Sequence, residues 1–396
     1  MSGAGPRIED FFRRRYGREA IYLPSGRLAL YVAFQEWLKP GDRILMSPVN
    51  DDVVFFTVLA AGLTPVLGPI DPSTGNLDPG AVDEDTWAGL RAVMTTNLYG
   101  IPDRMDILME RCGRHGLVLV EDACQAFDSV FRGERIGVFG PVAALSLTKH
   151  IDGVGGILIF SEAERRKSLA QRAEEVIRRR TLLDALGFKA LCSIKDLADI
   201  TSTRLLLRRL RRRLFTLSDE REGHRMFYDL GEVLRAGIDG GGLDRFERWV
   251  RVDCRSYRTL PPEQQVRKTL RRLESFEQNR KRRIEGARKL QDVHLYPSRL
   301  LGSHDFALFR VPLFVRNRET VASYLGRRGV SVEYIYDPPL DIYVPLQLAG
   351  RIPSPSETIH WSRDVLPIDP LQADDFLKLL NESPPLIPAW TSTGQS

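Results

Sequence analysis

Short apolar runs alternate with stretches of helical periodicity from the N-terminal region to Phe160. Residues 43–47, 63–70, 92–96, 117–120, 142–147 and 157–160 are rich in Val, Ile, Leu and Ala, and too short for helices. They predict buried strands. Between them, 26–37, 53–61 and 105–115 carry apolar positions at helical spacing. Strands alternating with helices predict an α/β fold with a mostly parallel central sheet covered on both faces. Residues 7–17 predict a short charged helix or arm. Lys39–Asp42 and Asp71–Asn76 predict turns.

Beyond Glu162 the pattern changes. Helical stretches dominate to about Arg251, and Leu205–Phe215 is strongly basic. That run suits a solvated arginine face, and less readily an anionic membrane surface or a polyphosphate. Gly237–Gly242 predicts a break. Residues 262–290 predict one long helix, 307–315 and 330–336 predict strands of a smaller α/β domain, and 371–381 predict its last helix. The segments are therefore an N-terminal arm (1–20), a large domain (21–161), a helix-rich basic insertion (162–252), a long helix with a small C-terminal domain (253–383), and a disordered tail (384–396).

The chemistry gathers around Lys149. It lies between two apolar runs, three residues after Ser146 and just before the turn Gly153-Val154-Gly155-Gly156. Ligands of open α/β sheets bind at the carboxyl ends of the strands. A lysine held there away from water loses its proton more easily and becomes a nucleophile toward carbonyls. Asp122 follows the strand at 117–120. It is either a helix cap or an anion that keeps a proton on a heterocyclic nitrogen. Ser25 and Gly26 start the first periodic helix, which is either a plain capped helix or a phosphate cradle.

Composition narrows the class. The 396 residues are 43% hydrophobic and 28% charged, as in an ordinary globular protein, with a net charge of +5 that suits acidic small substrates without demanding nucleic acid. The four cysteines show no metal or disulfide spacing, and no two histidines stand at ligand spacing. These features predict a cytoplasmic protein without a structural metal.

Several stretches together resemble the DegT/DnrJ/EryC1/StrS family of sugar aminotransferase-like proteins, within the fold-type I pyridoxal-phosphate (PLP) enzymes. They are Leu38-Lys39-Pro40-Gly41-Asp42-Arg43-Ile44, Ala61-Gly62-Leu63-Thr64-Pro65-Val66 with Ile70-Asp71-Pro72, and Asn97-Leu98-Tyr99-Gly100-Ile101-Pro102 with Met105-Asp106. Glu121-Asp122-Ala123-Cys124-Gln125-Ala126 and Arg135-Ile136-Gly137-Val138-Phe139-Gly140, followed by Lys149, complete the likeness. It is dense from about residue 20 to 160, sparse in the insertion, and weak beyond it.

The resemblance implies a PLP-dependent aminotransferase that moves an amino group from an amino-acid donor, commonly glutamate, to the ketone of a sugar, often nucleotide-linked. Lys149 would carry the cofactor as an internal aldimine and shuttle the proton. Asp122 would pair with the pyridinium nitrogen, and Gln125 would contact the ring or its phenolic oxygen. Ser25, Ser146 and the amides of Gly26 and Arg27 would hold the cofactor phosphate, and the guanidinium of Arg27, with Arg255 and Arg258, could hold a substrate diphosphate. Tyr99, Arg255 and Arg258 are candidates for substrate binding. A homodimer with shared sites is implied, Ser256–Arg258 completing the neighbour's. The sugar dehydratases among the relatives carry histidine in place of the lysine, so Lys149 points to amino transfer. The family's stacking aromatic falls at Asp51 or Asp52, its asparagine at Ser256, and its glutamate in the glycine turn at Val154. These departures motivate the alternative of a degenerate PLP-binding or scaffold protein.

Overall fold

The computed structural model describes residues 3–179, 221–222, 224–251, 256–293, 297, 307–351, 355–380 and 387. The basic run at 205–215, Arg255, and the tail from 384 apart from Ile387 lie outside the described residues.

In chain order the first part contains α1 (Ala4–Tyr16), β1 (Glu19–Leu23), α2 (Gly26–Trp37), β2 (Arg43–Met46), α3 (Asp52–Ala60), β3 (Thr64–Leu67), α4 (Glu84–Ala88), β4 (Ala92–Thr95), α5 (Met105–His115) and β5 (Val118–Asp122). A small hairpin, β6 (Val130–Phe131) and β7 (Glu134–Arg135), precedes β8 (Val142–Ser146), β9 (Gly156–Phe160) and α6 (Arg166–Val176). The central sheet has the order β1-β9-β8-β5-β4-β2-β3-β13, where β13 is Gly350–Arg351. Five of its pairings are parallel and two antiparallel, and β9 alone runs against the rest.

Alternate side chains of these strands enter two cores, as period-2 geometry requires of a sheet buried on both faces. Ile44, Met46, Met94, Val120, Ala144 and Leu158 pack under α2 and α3. Leu45, Val93, Leu119, Ala143, Leu145 and Ile157 pack under α1 and α5. The predicted arm is a core helix: α1 buries Ile8, Phe12 and Tyr16 and stops at Gly17, whose φ of 64° forms the left-handed cap. It leads directly into β1, a strand the periodicity did not predict, which pairs with β9 along its whole length.

The described part of the insertion comprises α6, the hairpin β10 (Arg221–Glu222) and β11 (Arg225–Met226), α7 (Leu230–Ile238) and α8 (Glu247–Val250). The predicted single helix at 262–290 is two helices, α9 (Glu263–Glu274) and α10 (Phe276–Gln291), separated at Ser275, where ψ reaches 11°. The C-terminal part holds β12 (Val311–Phe314), α11 (Arg318–Arg327), α12 (Leu340–Tyr343), β13, α13 (Pro355–Asp364), β14 (Val365–Ile368) and α14 (Ala373–Leu380). β12 pairs antiparallel with β14. The strand predicted at 330–336 does not form. Tyr334 has a φ of 70°, which breaks an extended run and turns this segment toward the sheet's carboxyl edge.

No described helix is long and apolar enough to cross a membrane.

Candidate active site

Parallel strands end on the same side of a sheet, so β2, β4, β5 and β8 deliver their following residues to one edge. Asp122 closes β5 opposite Ala144 of β8, and Lys149 lies three residues past the end of β8. The loop between β8 and β9 is fixed at its base, where Leu147 N–H donates to Gly155 O (3.1 Å) and Gly153 N–H to Leu147 O (2.7 Å). Gly155 has a φ of 96°, and a Cβ there would lie 2.5 Å from the Tyr22 ring, so only glycine closes this turn. The amine of Lys149 stands 5.6 Å from the centre of the Tyr334 ring, and the side chain is half-buried.

Asp122 is buried. Burial raises the pKa of its carboxyl, and the positive charge of Lys149 is the largest influence that opposes the rise. Its Oδ1 accepts the Cys124 N–H at 2.9 Å, so this aspartate is a local cap as well as a buried anion. Asn97, in the left-handed region at φ 43°, donates from Nδ2 to Asp122 O at 3.1 Å and holds β5 to the end of β4.

The start of α2 meets the same edge. Ser25 is the N-cap: its Oγ accepts the Leu28 N–H at 3.2 Å and donates to Tyr257 O at 2.9 Å. The helix N-terminus approaches the sheet closely because residue 26 is glycine. A Cβ there would sit 2.7 Å from Cys124 Sγ and 3.4 Å from Ser146 Cβ. Ser146 Oγ is 2.8 Å from Thr148 Oγ1, which puts two hydroxyls beside the positive end of the helix. Thr148 was not among the residues singled out in the sequence. The signal available was its hydroxyl one position before the lysine.

The other candidates are committed elsewhere. Gln125 holds the Tyr99 N–H on Oε1 (3.1 Å) and donates from Nε2 to the Tyr336 hydroxyl (2.9 Å), so it braces the aromatic wall. Tyr99 is fully buried and donates its hydroxyl to Tyr334 O at 2.6 Å, which makes it a support and not a substrate contact. The Arg27 guanidinium turns away from the helix start toward Val250 O (2.6 Å) and the Tyr257 ring. Arg258 is buried within its own chain, donating to Val176 O and pairing with Asp244. It is therefore placed to tie α6 to the segment before α8, with its guanidinium engaged inside the chain. Arg255 lies outside the described residues.

Two further groups border the site. His150, next to Lys149, is buried with Nε2 at 2.8 Å from Gln125 O; burial lowers its pKa to about 3 and keeps the ring neutral. Glu121 is buried with the N–H groups of Gly137, Phe139 and Gly140 on its carboxyl at 2.6 to 2.8 Å. Burial still pushes its pKa up to about 7. Among the described residues no cluster of three or more His, Cys, Asp or Glu is placed to hold a metal ion.

The architecture is one shared with solved PLP enzymes. An aminotransferase of the DegT/DnrJ/EryC1/StrS kind from Brucella abortus superposes with a TM-score of 0.63 at 16% identity, over 96% of this chain and 90% of that one. The GDP-4-keto-6-deoxy-D-mannose-3-dehydratase of E. coli, solved with bound hydrated PLP, superposes with a TM-score of 0.63 at 17% identity, over 97% and 92%. At these identities the likeness is one of fold.

Residues 6–190 match the model of the DegT/DnrJ/EryC1/StrS aminotransferase family. Among named relatives, dTDP-3-amino-3,4,6-trideoxy-alpha-D-glucose transaminase of Streptomyces venezuelae is 36% identical over 152 residues, 37% of this chain and 40% of the relative. L-glutamine:2-deoxy-scyllo-inosose aminotransferase of Streptomyces kanamyceticus is 32% identical over 177 residues, 42% of this chain and 40% of the relative. The matched stretch thus spans about two fifths of the length of these relatives.

Proposed function

We propose that the protein is a PLP-dependent aminotransferase that moves an amino group from an amino-acid donor to the ketone of a sugar, the sugar being carried on a nucleotide. The observation that carries this reading is that Lys149 and a buried Asp122, which feels its charge, lie at the same carboxyl edge of the sheet, beside the N-terminus of α2. The donor set fits the cofactor. An amine is available for covalent attachment, and a buried carboxylate, costly when uncompensated, suits a protonated ring nitrogen. Helix amides at Gly26 and Arg27 with the hydroxyls of Ser146 and Thr148 suit a phosphate.

When bound, PLP supplies a protonated pyridine ring that withdraws electrons from an attached amine. Asp122 keeps the ring proton in place. Lys149 anchors the group and, once released, its amine accepts and returns a proton. Gln125, Tyr99 and Tyr336 hold the wall that excludes water from one side. One relative's name gives a glutamine donor and a scyllo-inosose acceptor, and another's gives a dTDP-linked amino sugar, which supports an amino-acid donor and a keto-sugar or keto-cyclitol acceptor. The homodimer implied by the family likeness belongs to the same proposal.

The experiment is a half-reaction. Protein loaded with PLP is expected to show a visible band that glutamate or glutamine bleaches with release of the keto acid. A panel of nucleotide-linked keto sugars then restores the band by accepting the amine. A band that no amino acid bleaches would contradict amino transfer.

A further inference from the structure

The insertion returns to the active-site edge through the hairpin β10–β11, whose pairing sets Glu222 opposite Arg225. The hairpin is anchored. Met226 is buried in the core that lies under α2 and α3, and the Arg225 guanidinium lies over the Tyr343 ring at 5.5 Å. His224 sits in its turn. Its Nδ1 stands 3.4 Å from Oδ2 of Asp51, and both side chains are largely covered, at 19% and 25% exposure. The imidazole also lies against two tyrosines, with ring centres 4.7 Å from Tyr336 and 5.9 Å from Tyr334. Tyr334 is the ring beneath the Lys149 amine, and Tyr336 is the phenol held by Gln125.

Asp51 is also the N-cap of α3: its Oδ1 accepts the Val53 N–H at 3.1 Å. Burial is what chiefly pushes the carboxyl of Asp122 and the phenol of Tyr336 toward their protonated forms, and the charge of Asp51 adds to that push. Two carboxylates close to one edge oppose each other's ionisation. A donor on Asp51 lessens that opposition.

Resting on the PLP reading of the site, we propose that His224 is a positioning residue of the active site, delivered by the inserted hairpin. It screens the charge of Asp51 from Asp122 and braces the Tyr334–Tyr336 wall beside Lys149. The groups that face it are Asp51 from α3 and Tyr334 and Tyr336 from the segment after α11. Lys149 bears on the far neighbour, Tyr334, and Asp122 of β5 receives the effect. The insertion thereby becomes part of the catalytic apparatus.

The test uses the full chain loaded with PLP and reads two quantities besides turnover: the cofactor dissociation constant, from quenching of protein fluorescence, and the pH midpoint of the visible band. His224→Ala uncovers the Asp51 charge, which favours the protonated, visible form. The midpoint is expected to rise by about one unit and the dissociation constant by about ten-fold. His224→Gln restores the midpoint by returning a hydrogen-bond donor, and Asp51→Asn, which keeps the helix cap, makes His224→Ala silent. Normal cofactor uptake with an indifferent His224→Ala, or an undiminished effect in the Asp51→Asn background, would overturn the inference alone. A wild-type protein that takes up no PLP would overturn the reading beneath it.

Discussion

The charge of Lys149 is what most favours ionisation of Asp122 in a place where burial opposes it. Asp122 ends β5 and Lys149 lies in the loop after β8, and both come to one edge because those strands are adjacent and parallel. An anion kept costly by burial is a site prepared for a cation, and the ring proton of the cofactor is the cation proposed here.

Asp122→Asn separates stability from chemistry. The folded-state pKa of Asp122 is raised, so its contribution to stability is full below the unfolded value and is lost as pH rises through the folded one. At neutral pH the variant without cofactor is therefore expected to melt no lower than the wild type, and the asparagine Oδ1 can still accept the Cys124 N–H. Its amino-transfer rate should fall about a hundred-fold or more, the scale of losing a fixed electrostatic partner. Calorimetry and single-turnover kinetics on the same preparation check both halves.

His150 gives an acid-side signature. Its pKa is lowered to about 3, so between that value and the ordinary range near 6.5 the unfolded chain binds a proton that the folded chain does not. Its contribution to stability is therefore lost as pH falls through that window. Glu121 and Asp103, with pKa values raised to about 7 and about 6, act in the opposite sense, so the comparison must be wild type against His150→Gln. Melting temperatures from pH 7 down to pH 4 are expected to fall less steeply in the variant.

Glycine substitutions test the approach of α2 to the sheet. A Cβ on Gly156 would lie 2.4 Å from Gly26 N and from Ser25 C, both backbone atoms. Gly156→Ala is expected to destabilise by about 1–3 kcal/mol and to weaken cofactor binding by moving the helix start. Gly113 lies inside α5 with nothing within 4 Å of its would-be Cβ, so Gly113→Ala should stabilise by up to about 1 kcal/mol. Denaturant melts of the pair decide whether close packing, rather than glycine content, governs the edge.

Much of the large domain was legible because its signals are local. Helix α5 runs over the residues that periodicity assigned, and the apolar runs at 92–96 and 142–147 are central strands. Ser25 caps its helix, as serine before an apolar run predicts. β1 was hidden because its pairing with β9 is remote in sequence. The run at 330–336 looked like a strand because it is β-branched and aromatic, yet its tyrosines are used to line the site, and a positive φ at Tyr334 cannot be read from residue type. Arg27 and Arg258 illustrate the same limit. A guanidinium suits phosphate, but only tertiary structure reveals that carbonyls, a carboxylate and an aromatic ring have already engaged these two. His224 lay unread in the insertion because nothing local marks an imidazole that completes a distant site.

The central claim is covalent. Protein loaded with PLP, reduced with borohydride and digested should yield one modified peptide, bearing the phosphopyridoxyl group on Lys149, and Lys149→Ala should yield none. Attachment at another lysine, or equal labelling of the Lys149→Ala variant, would contradict the account.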